Sequence, residues 1–409
     1  MAFLQRLPRP IKPLPDETRL SWAVRLARSN ALKFQTLLTL AVDSRRHSLM
    51  ECDLDRFARD ELVSGLAILS GRSKQEIVAQ SLSGVLANLS IREFDARHPQ
   101  RWLLLPVAIS RRPTKPWTGL CLDCLRSDPI PYFRNAWRLA FVTTCHIHLV
   151  RLIDRCPSCA APLNFHCLDL AKSHFDTVMP VSYCGECGLD ARESAMASRS
   201  CDSYASKYER SLYRSARFGK CLIAGAGWTY AGALFEVMHH IIARSRNSMR
   251  ILYMQDELTG SRNLAPLNPR SIPQGFFHTW TIDARHDAIC AFANLMRNWP
   301  RTLIAKGIQY GMTSYDARGD ETRLPLWFDR ILTDNFYRKW WSPSEAEEAS
   351  VRRLIRAAGE PETDNNVRRW LGMFFEKNKS TMRIVDADRP EQLRLKMRRI
   401  NCFNKWTDA

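Results

Sequence analysis

Four closely spaced pairs of metal-binding residues share one short stretch of this 409-residue chain, and they constrain its fold more than any other feature. Cys121 and Cys124 form a C-x2-C pair, and twenty residues later Cys145 and His148 form a C-x2-H pair. Cys156 and Cys159 make a third pair, followed after twenty-four residues by Cys184 and Cys187. Two ligands at this spacing take adjacent corners of a tetrahedron, so two pairs complete a four-coordinate zinc ion. Chain order assigns Cys121, Cys124, Cys145 and His148 to one ion, and Cys156, Cys159, Cys184 and Cys187 to a second. Interleaved pairing is an open alternative, with His146, His166 and Cys167 as substitute ligands. Both sets are saturated and rich in thiolate, which points to structural rather than catalytic zinc. In so polar and proline-rich a segment the metal supplies what a small apolar core cannot. There is no HExxH, and Cys156-Pro157-Ser158-Cys159 lacks the preceding H-x-E of a zinc deaminase.

The formal net charge of +18 calls for a polyanionic partner, nucleic acid above all. The bland alternative is that basic residues solvate many helix faces. No window approaches the roughly 18 apolar residues of a membrane span, and the opening MAFLQRLPRPIKPLPDETRL lacks the apolar centre of a secretory signal. A cytoplasmic location is expected, where clustered cysteines hold metal rather than form disulfides. The chain has no GxxxxGK[ST] loop, so an ATP-driven step belongs to a partner. GxSxG is absent too, and no motif marks a carboxylate triad for DNA cleavage.

Around the cysteine segment the pattern is mainly α. Helical domains with helix-turn-helix motifs are expected to flank a tandem zinc-finger module, with boundaries at 1–111, 112–195 and 196–409. A proline arm, Pro8 to Pro15, is read as extended and exposed. Asp16 then caps a helix carrying Leu20, Ala23 and Ala27, and a second helix covers Leu32 to Leu40. Leu62, Leu66 and Leu69 line a helix that Gly71 stops. Ser73 and Glu76 form a capping box opening the next helix, through Ile77, Val78 and Leu82. This is either a helix-turn-helix, with Arg72, Lys74 and Gln75 placed to meet DNA, or an ordinary helical hairpin.

After Cys201 further helices are expected at Tyr208–Phe218, Gly232–Asn247, Asp283–Asn298, Pro325–Asp334 and Ser344–Ala358, with a long loop at Asp256–Gln274. A second helix-turn-helix is read near the end. Ser342 and Glu345 cap its first helix, which carries Arg352 and Arg353 and ends at Gly359. Asp364 caps the next, which presents Asn365, Asn366, Arg368 and Arg369 to bases and phosphates, or simply to solvent. The tail adds Arg394, Lys396, Arg398 and Arg399 as phosphate contacts without sequence preference.

Several of these stretches resemble the TniQ/TnsD family of transposition proteins. LPRPIKPLPDETRLSWAVRLARSN is similar to that family's opening, and LAILSGRSKQEIVAQSL to its first helix-turn-helix. CLDCLRSDPIPYFRNAWRLAFVTTCHIHLVRLIDRCPSCAAPLNF resembles its zinc segment, which CGECGLD at 184–190 completes. ICAFANLMRNWPRTL and LPLWF are similar to longer members. The resemblance implies a non-catalytic target-selection adaptor with two structural Zn2+ ions. Such an adaptor recruits the transposon's AAA+ ATPase (TnsC/TniB-like), and through it the transposase, to target DNA. Some relatives bind an attachment site directly, whereas others dock on an RNA-guided Cascade complex and form homodimers. The resemblance makes Arg9, Lys12, Arg19, Trp22 and Arg25 candidate ATPase contacts. The alternatives are a direct sequence-specific DNA-binding selector, a zinc-containing transcription regulator and a metal-dependent nuclease.

Overall fold

The structure is a computed structural model that describes residues 5–42, 53–56, 59–89, 101–105, 115–168, 180–259, 276–319, 323–336 and 343–371. By contacts the chain forms two compact units, Met1–Phe336 and Tyr337–Ala409. The described residues are mainly helical and contain one two-stranded sheet.

The first unit opens with α1 (Arg19–Ser29) and α2 (Phe34–Val42). Thr18 caps α1, accepting the N–H of Ser21, so the expectation for Asp16 is corrected. Asp16 sits at φ +58° and its carboxylate takes the Tyr213 hydroxyl, 197 residues away, which removes it from the helix end. Next come α3 (Asp60–Ser70), α4 (Lys74–Ala79) and α5 (Ser83–Ala87). Gly71 ends α3 in the left-handed region, and Ser73 with Glu76 forms the capping box of α4. That helix stops three residues before Leu82, whose N–H turns to the carbonyl of Asp55 at 2.8 Å and starts α5 instead. Gly65 permits the close approach of α3 to the end of α2: a Cβ there would lie 1.6 Å from the Ala41 carbonyl oxygen.

A short helix, α6 (Leu122–Ser127), opens the cysteine segment, and α7 (Ser203–Phe218) follows it. A hairpin of β1 (Lys220–Ile223) and β2 (Gly227–Tyr230) leads into α8 (Ala231–Arg244) and α9 (Met249–Thr259). The unit ends with α10 (Ile282–Arg297), α11 (Arg301–Gln309), α12 (Ser314–Arg318) and α13 (Leu326–Phe336). The long loop read from Asp256 is corrected in its first part, since α9 runs to Thr259; 260–275 lie outside the described residues.

One apolar core runs through this unit, from Trp22 and Leu37 through Trp117 and Trp137 to Phe235 and Phe328. Trp102 meets Phe141, Phe235 and Phe277 edge-on at 6.1, 5.5 and 5.4 Å, joining the cysteine segment to α8.

In the second unit α14 (Glu345–Ala357) packs on α15 (Asp364–Trp370), with Ile355 and Val367 buried. The caps are Ser344, boxed with Glu347, and Thr363. These replace the expected Ser342 and Asp364: each true cap hydroxyl stands three residues before the N–H it accepts, and Asp364 is already inside its helix.

Candidate metal centres and surrounding cations

Three of the four ligand pairs are built on the same backbone turn. In each, the fifth residue donates its N–H to the first residue's carbonyl: Leu149 to Cys145, Ala160 to Cys156 and Gly188 to Cys184, at 2.8, 3.0 and 3.0 Å. The first residue in turn donates to the carbonyl of the sixth, Val150, Ala161 or Leu189, at 2.8 Å in every case. The fifth residue must then be left-handed, and φ is +56° at Leu149, +55° at Ala160 and +75° at Gly188. Two of these turns use residues that disfavour this region, so the ligand geometry is held against local backbone preference. The remaining pair is carried by α6, where Cys121 precedes the first turn and its Sγ accepts the Cys124 N–H at 3.5 Å. Backbone N–H groups also point at Cys145 Sγ, from Ile147 at 3.4 Å and His148 at 3.5 Å, which favours a thiolate there.

The eight residues gather into two clusters, Cys121/Cys124/Cys145/His148 and Cys156/Cys159/Cys184/Cys187, with ligand atoms within 4.8 Å of one another. In the first, Cys124 Sγ lies 3.5 Å from Cys145 Sγ and 3.3 Å from His148 Nδ1. His148 Nδ1 is 3.6 Å from Cys121 Sγ and 3.8 Å from Cys145 Sγ. In the second, Cys156 to Cys187 measures 3.7 Å and Cys159 to Cys184 3.8 Å. A tetrahedral zinc site has S–S edges of about 3.8 Å and S–N edges of about 3.5 Å, from bonds of about 2.3 and 2.0 Å. The donor sets therefore fit a four-coordinate ion of that size. Burial, with the neighbouring Cys156 thiol among the further causes, pushes Cys184 up to about 12, and a bound divalent cation reverses that preference.

The two centres differ in exposure. Cys121, Cys124 and Cys145 are buried, whereas Cys159 and Cys187 face solvent. The other candidate ligands stand outside both clusters: His146 stacks beside Tyr213, and His166 is buried edge-on to Trp117 and Phe165. Cys167 is buried in a short 3-10 turn.

The segment is locked to its neighbours by buried ionic groups that sequence reading did not find. Arg138 pairs with Asp53 at 2.7 Å and with Asp55, and its guanidinium lies 4.8 Å from the Trp117 ring. Arg19 donates to the carbonyls of Leu54 and Ile77 at 2.8 and 3.0 Å. No local pattern marks these partners, which are 35 to 85 residues apart.

Among the arm residues, Arg9 and Lys12 are exposed, but Arg19 and Trp22 are buried and Arg25 pairs with Glu17 at 2.5 Å. As candidate ATPase contacts Arg19 and Trp22 are corrected, because both side chains are buried and hydrogen-bonded inside the fold. The arm itself is docked: Leu7 donates to the Leu69 carbonyl, Arg9 exchanges hydrogen bonds with Asn30, and Trp22 Nε1 donates to Ile11. On α4, Gln75 is exposed and Lys74 pairs with Asp60 at 3.2 Å, while Arg72 is half-buried. In the second unit Asn365, Arg353 and Arg368 are exposed. Arg352 pairs with Asp364 at 3.0 Å, Arg369 with Glu360, and Asn366 donates to the Pro361 carbonyl. Arg394, Lys396, Arg398 and Arg399 lie outside the described residues.

Residues 8–152 match the family model described as TniQ, a span running from the proline arm through the complete first cluster. None of the curated proteins matches the chain.

Proposed function

We propose that this chain, whose residues 8–152 match the family model described as TniQ, is a non-catalytic target-selection adaptor for DNA transposition. A TniQ domain marks a transposition-associated target-selection protein; the finer reading is that this chain recruits a transposon AAA+ ATPase, and through it a transposase, to target DNA. The observation that carries the proposal is the family match itself, whose span takes in the docked arm, both capped helices α3 and α4, and the first metal cluster. The ions are two structural Zn2+. The saturated donor sets support that assignment, since no ligand position is left for water. Arg9 and Lys12 are the arm cations available to the ATPase. Docking on an RNA-guided Cascade complex and a homodimer belong to the same reading.

The test is a pull-down of the zinc-loaded chain with the ATPase encoded beside it, with and without DNA. Capture of the ATPase, weakened by Arg9→Ala with Lys12→Ala, supports the adaptor. Tight binding to one DNA sequence with no ATPase capture overturns it in favour of a stand-alone DNA-binding regulator.

The second reading, a direct sequence-specific selector, draws on the exposed Gln75 at the front of α4, where a recognition helix meets base edges. Competition between specific and random duplexes separates the two.

A further inference from the structure

The exposed face of α7 carries four cations and no acid. Lys207, Arg210, Arg214 and Arg217 stand at i, i+3, i+7 and i+10, all exposed, and at 100° per residue they fall within an arc of about 80°. They form a straight row about 15 Å long. The opposite face is buried, through Leu212, Tyr213 and Ala216 among others. Among the described residues none of the four enters an ion pair. Arg217 feels Asp16 at longer range, and that carboxylate already accepts the Tyr213 hydroxyl. The contrast is with the second unit, where Arg352, Arg356 and Arg369 are each paired with a carboxylate.

The row leads directly into an unusual hairpin. Gly219 ends α7 at φ +72°, and Lys220 begins β1. The register Lys220↔Tyr230 and Leu222↔Trp228 puts these four side chains on one face, opposite the buried Cys221 and Ile223. A solvent-facing side of a hairpin is ordinarily polar. Here Leu222 is 67 % exposed and Trp228 70 %, next to Phe218 at 68 %. Lys220 Nζ lies 5.1 Å from the Trp228 ring. The hairpin base is anchored, not loose: Tyr230 donates its hydroxyl to the Ala87 carbonyl at 3.0 Å, and Asn88 Nδ2 donates to Ala216 at 2.9 Å.

We infer that α7 and the β1–β2 hairpin form a duplex-DNA contact, the cation row lying along phosphates and Trp228 with Leu222 entering the adjoining groove. The inference rests on the target-DNA reading above. A rigid row of unpaired long cations fits the regular phosphate ladder of a duplex and leaves no charge for an acidic partner to cancel first. An exposed apolar wedge beside it is the device with which proteins enter and part base steps.

The test is anisotropy with a labelled 30-bp random duplex and the full zinc-loaded chain across a salt series. The main variant carries Lys207→Gln, Arg210→Gln, Arg214→Gln and Arg217→Gln. A control with Arg352, Arg353, Arg356 and Arg369 all changed to Gln removes the same charge elsewhere. The expected result is at least a tenfold loss in the α7 variant, with the slope of log K against log salt shallower by about 3 to 4. Trp228→Ala alone should lose several-fold with the slope unchanged. The α7 and hairpin sites are exposed, and unchanged melting curves verify the fold of every variant. Wild-type binding that survives the α7 changes, or falls equally in the control, overturns this contact and leaves the target-DNA reading intact. Absence of duplex binding by the wild type at low salt overturns this contact as well, whereas the adaptor reading is decided separately by the ATPase pull-down. Preference for single-stranded RNA, lost in the α7 variant, overturns the duplex assignment.

Discussion

Glu209, inside α7, accepts both the backbone N–H of Thr143, at 2.8 Å, and the Thr143 hydroxyl. The same carboxylate takes the N–H and hydroxyl of Thr144, each at 2.9 Å, so four donors converge on one buried acid immediately before Cys145. Because the Thr143 hydroxyl gives its proton to Glu209, its oxygen accepts from His286 Nδ1 at 2.8 Å. His286 Nε2 is then the acceptor for the Cys290 thiol at 3.2 Å. The chain of hydrogen bonds has one direction, and it ties α10 and α7 to the backbone that enters the Cys145/His148 ligand pair.

Glu209→Gln should therefore destabilise the fold and loosen the first metal site. An amide turns a donor toward donors, and a buried network broken at one member costs about 2–4 kcal/mol. Urea midpoints and a competitive chelator titration check it. A variant as stable as the wild type, with the same metal affinity, contradicts the role given to Glu209.

Acid should weaken the protein before its ordinary carboxylates titrate. Burial holds His286 down at about 4, and His239 likewise at about 4, against an ordinary value of 6.5. The unfolded chain takes up these protons first, so the stability they contribute is complete above 6.5 and is lost as pH falls toward about 4. At 1.36 kcal/mol per unit, each contributes up to about 3 kcal/mol. Glu209, pushed up by burial, acts in the opposite sense and favours the fold as pH falls. Unfolding free energies at pH 7.5, 6.5 and 5.5 should decline for the wild type and decline less for His239→Gln; equal slopes refute the assignment.

Metal should leave in two phases. Cys159 and Cys187 are exposed, and the first cluster's three thiols are buried. Under a colorimetric chelator one equivalent is expected quickly and a second slowly. Cys187→Ser should lose the fast phase while α1 to α5 stay folded. Cys124→Ser should lower the melting temperature more, since Cys124 and Leu125 belong to the main core. A single release phase counts against this order.

Two glycines should respond oppositely to alanine. At Gly65 the added methyl would collide with the Ala41 backbone, and separating α2 from α3 costs about 3 kcal/mol. At Gly84, within α5, nothing lies within 4 Å of the new Cβ. There alanine should stabilise by about 0.5–1 kcal/mol. Thermal melts of both variants decide, and a stable Gly65→Ala protein would falsify the close approach.

What the sequence determined by itself was whatever acts over a few residues. Ligand pairs three apart, the Gly71 stop and the Ser73–Glu76 box are local geometry, and the structure contains each of them. The same local logic misplaced a cap at Asp16, because a competing partner, Tyr213, comes from α7. It extended α4 to Leu82, because the N–H that ends the matter bonds to Asp55. The resemblance offered Arg19 and Trp22 as ATPase contacts, and nothing near them in sequence shows that Leu54, Ile77 and Ile11 supply carbonyls to them inside the fold. The left-handed Leu149 and Ala160 were equally invisible, since neither is the glycine that such a turn ordinarily selects. Tertiary structure alone decided which cations are free. A charge is neutralised by whatever carboxylate the fold brings within about 4 Å, and that distance is set by packing rather than by position along the chain.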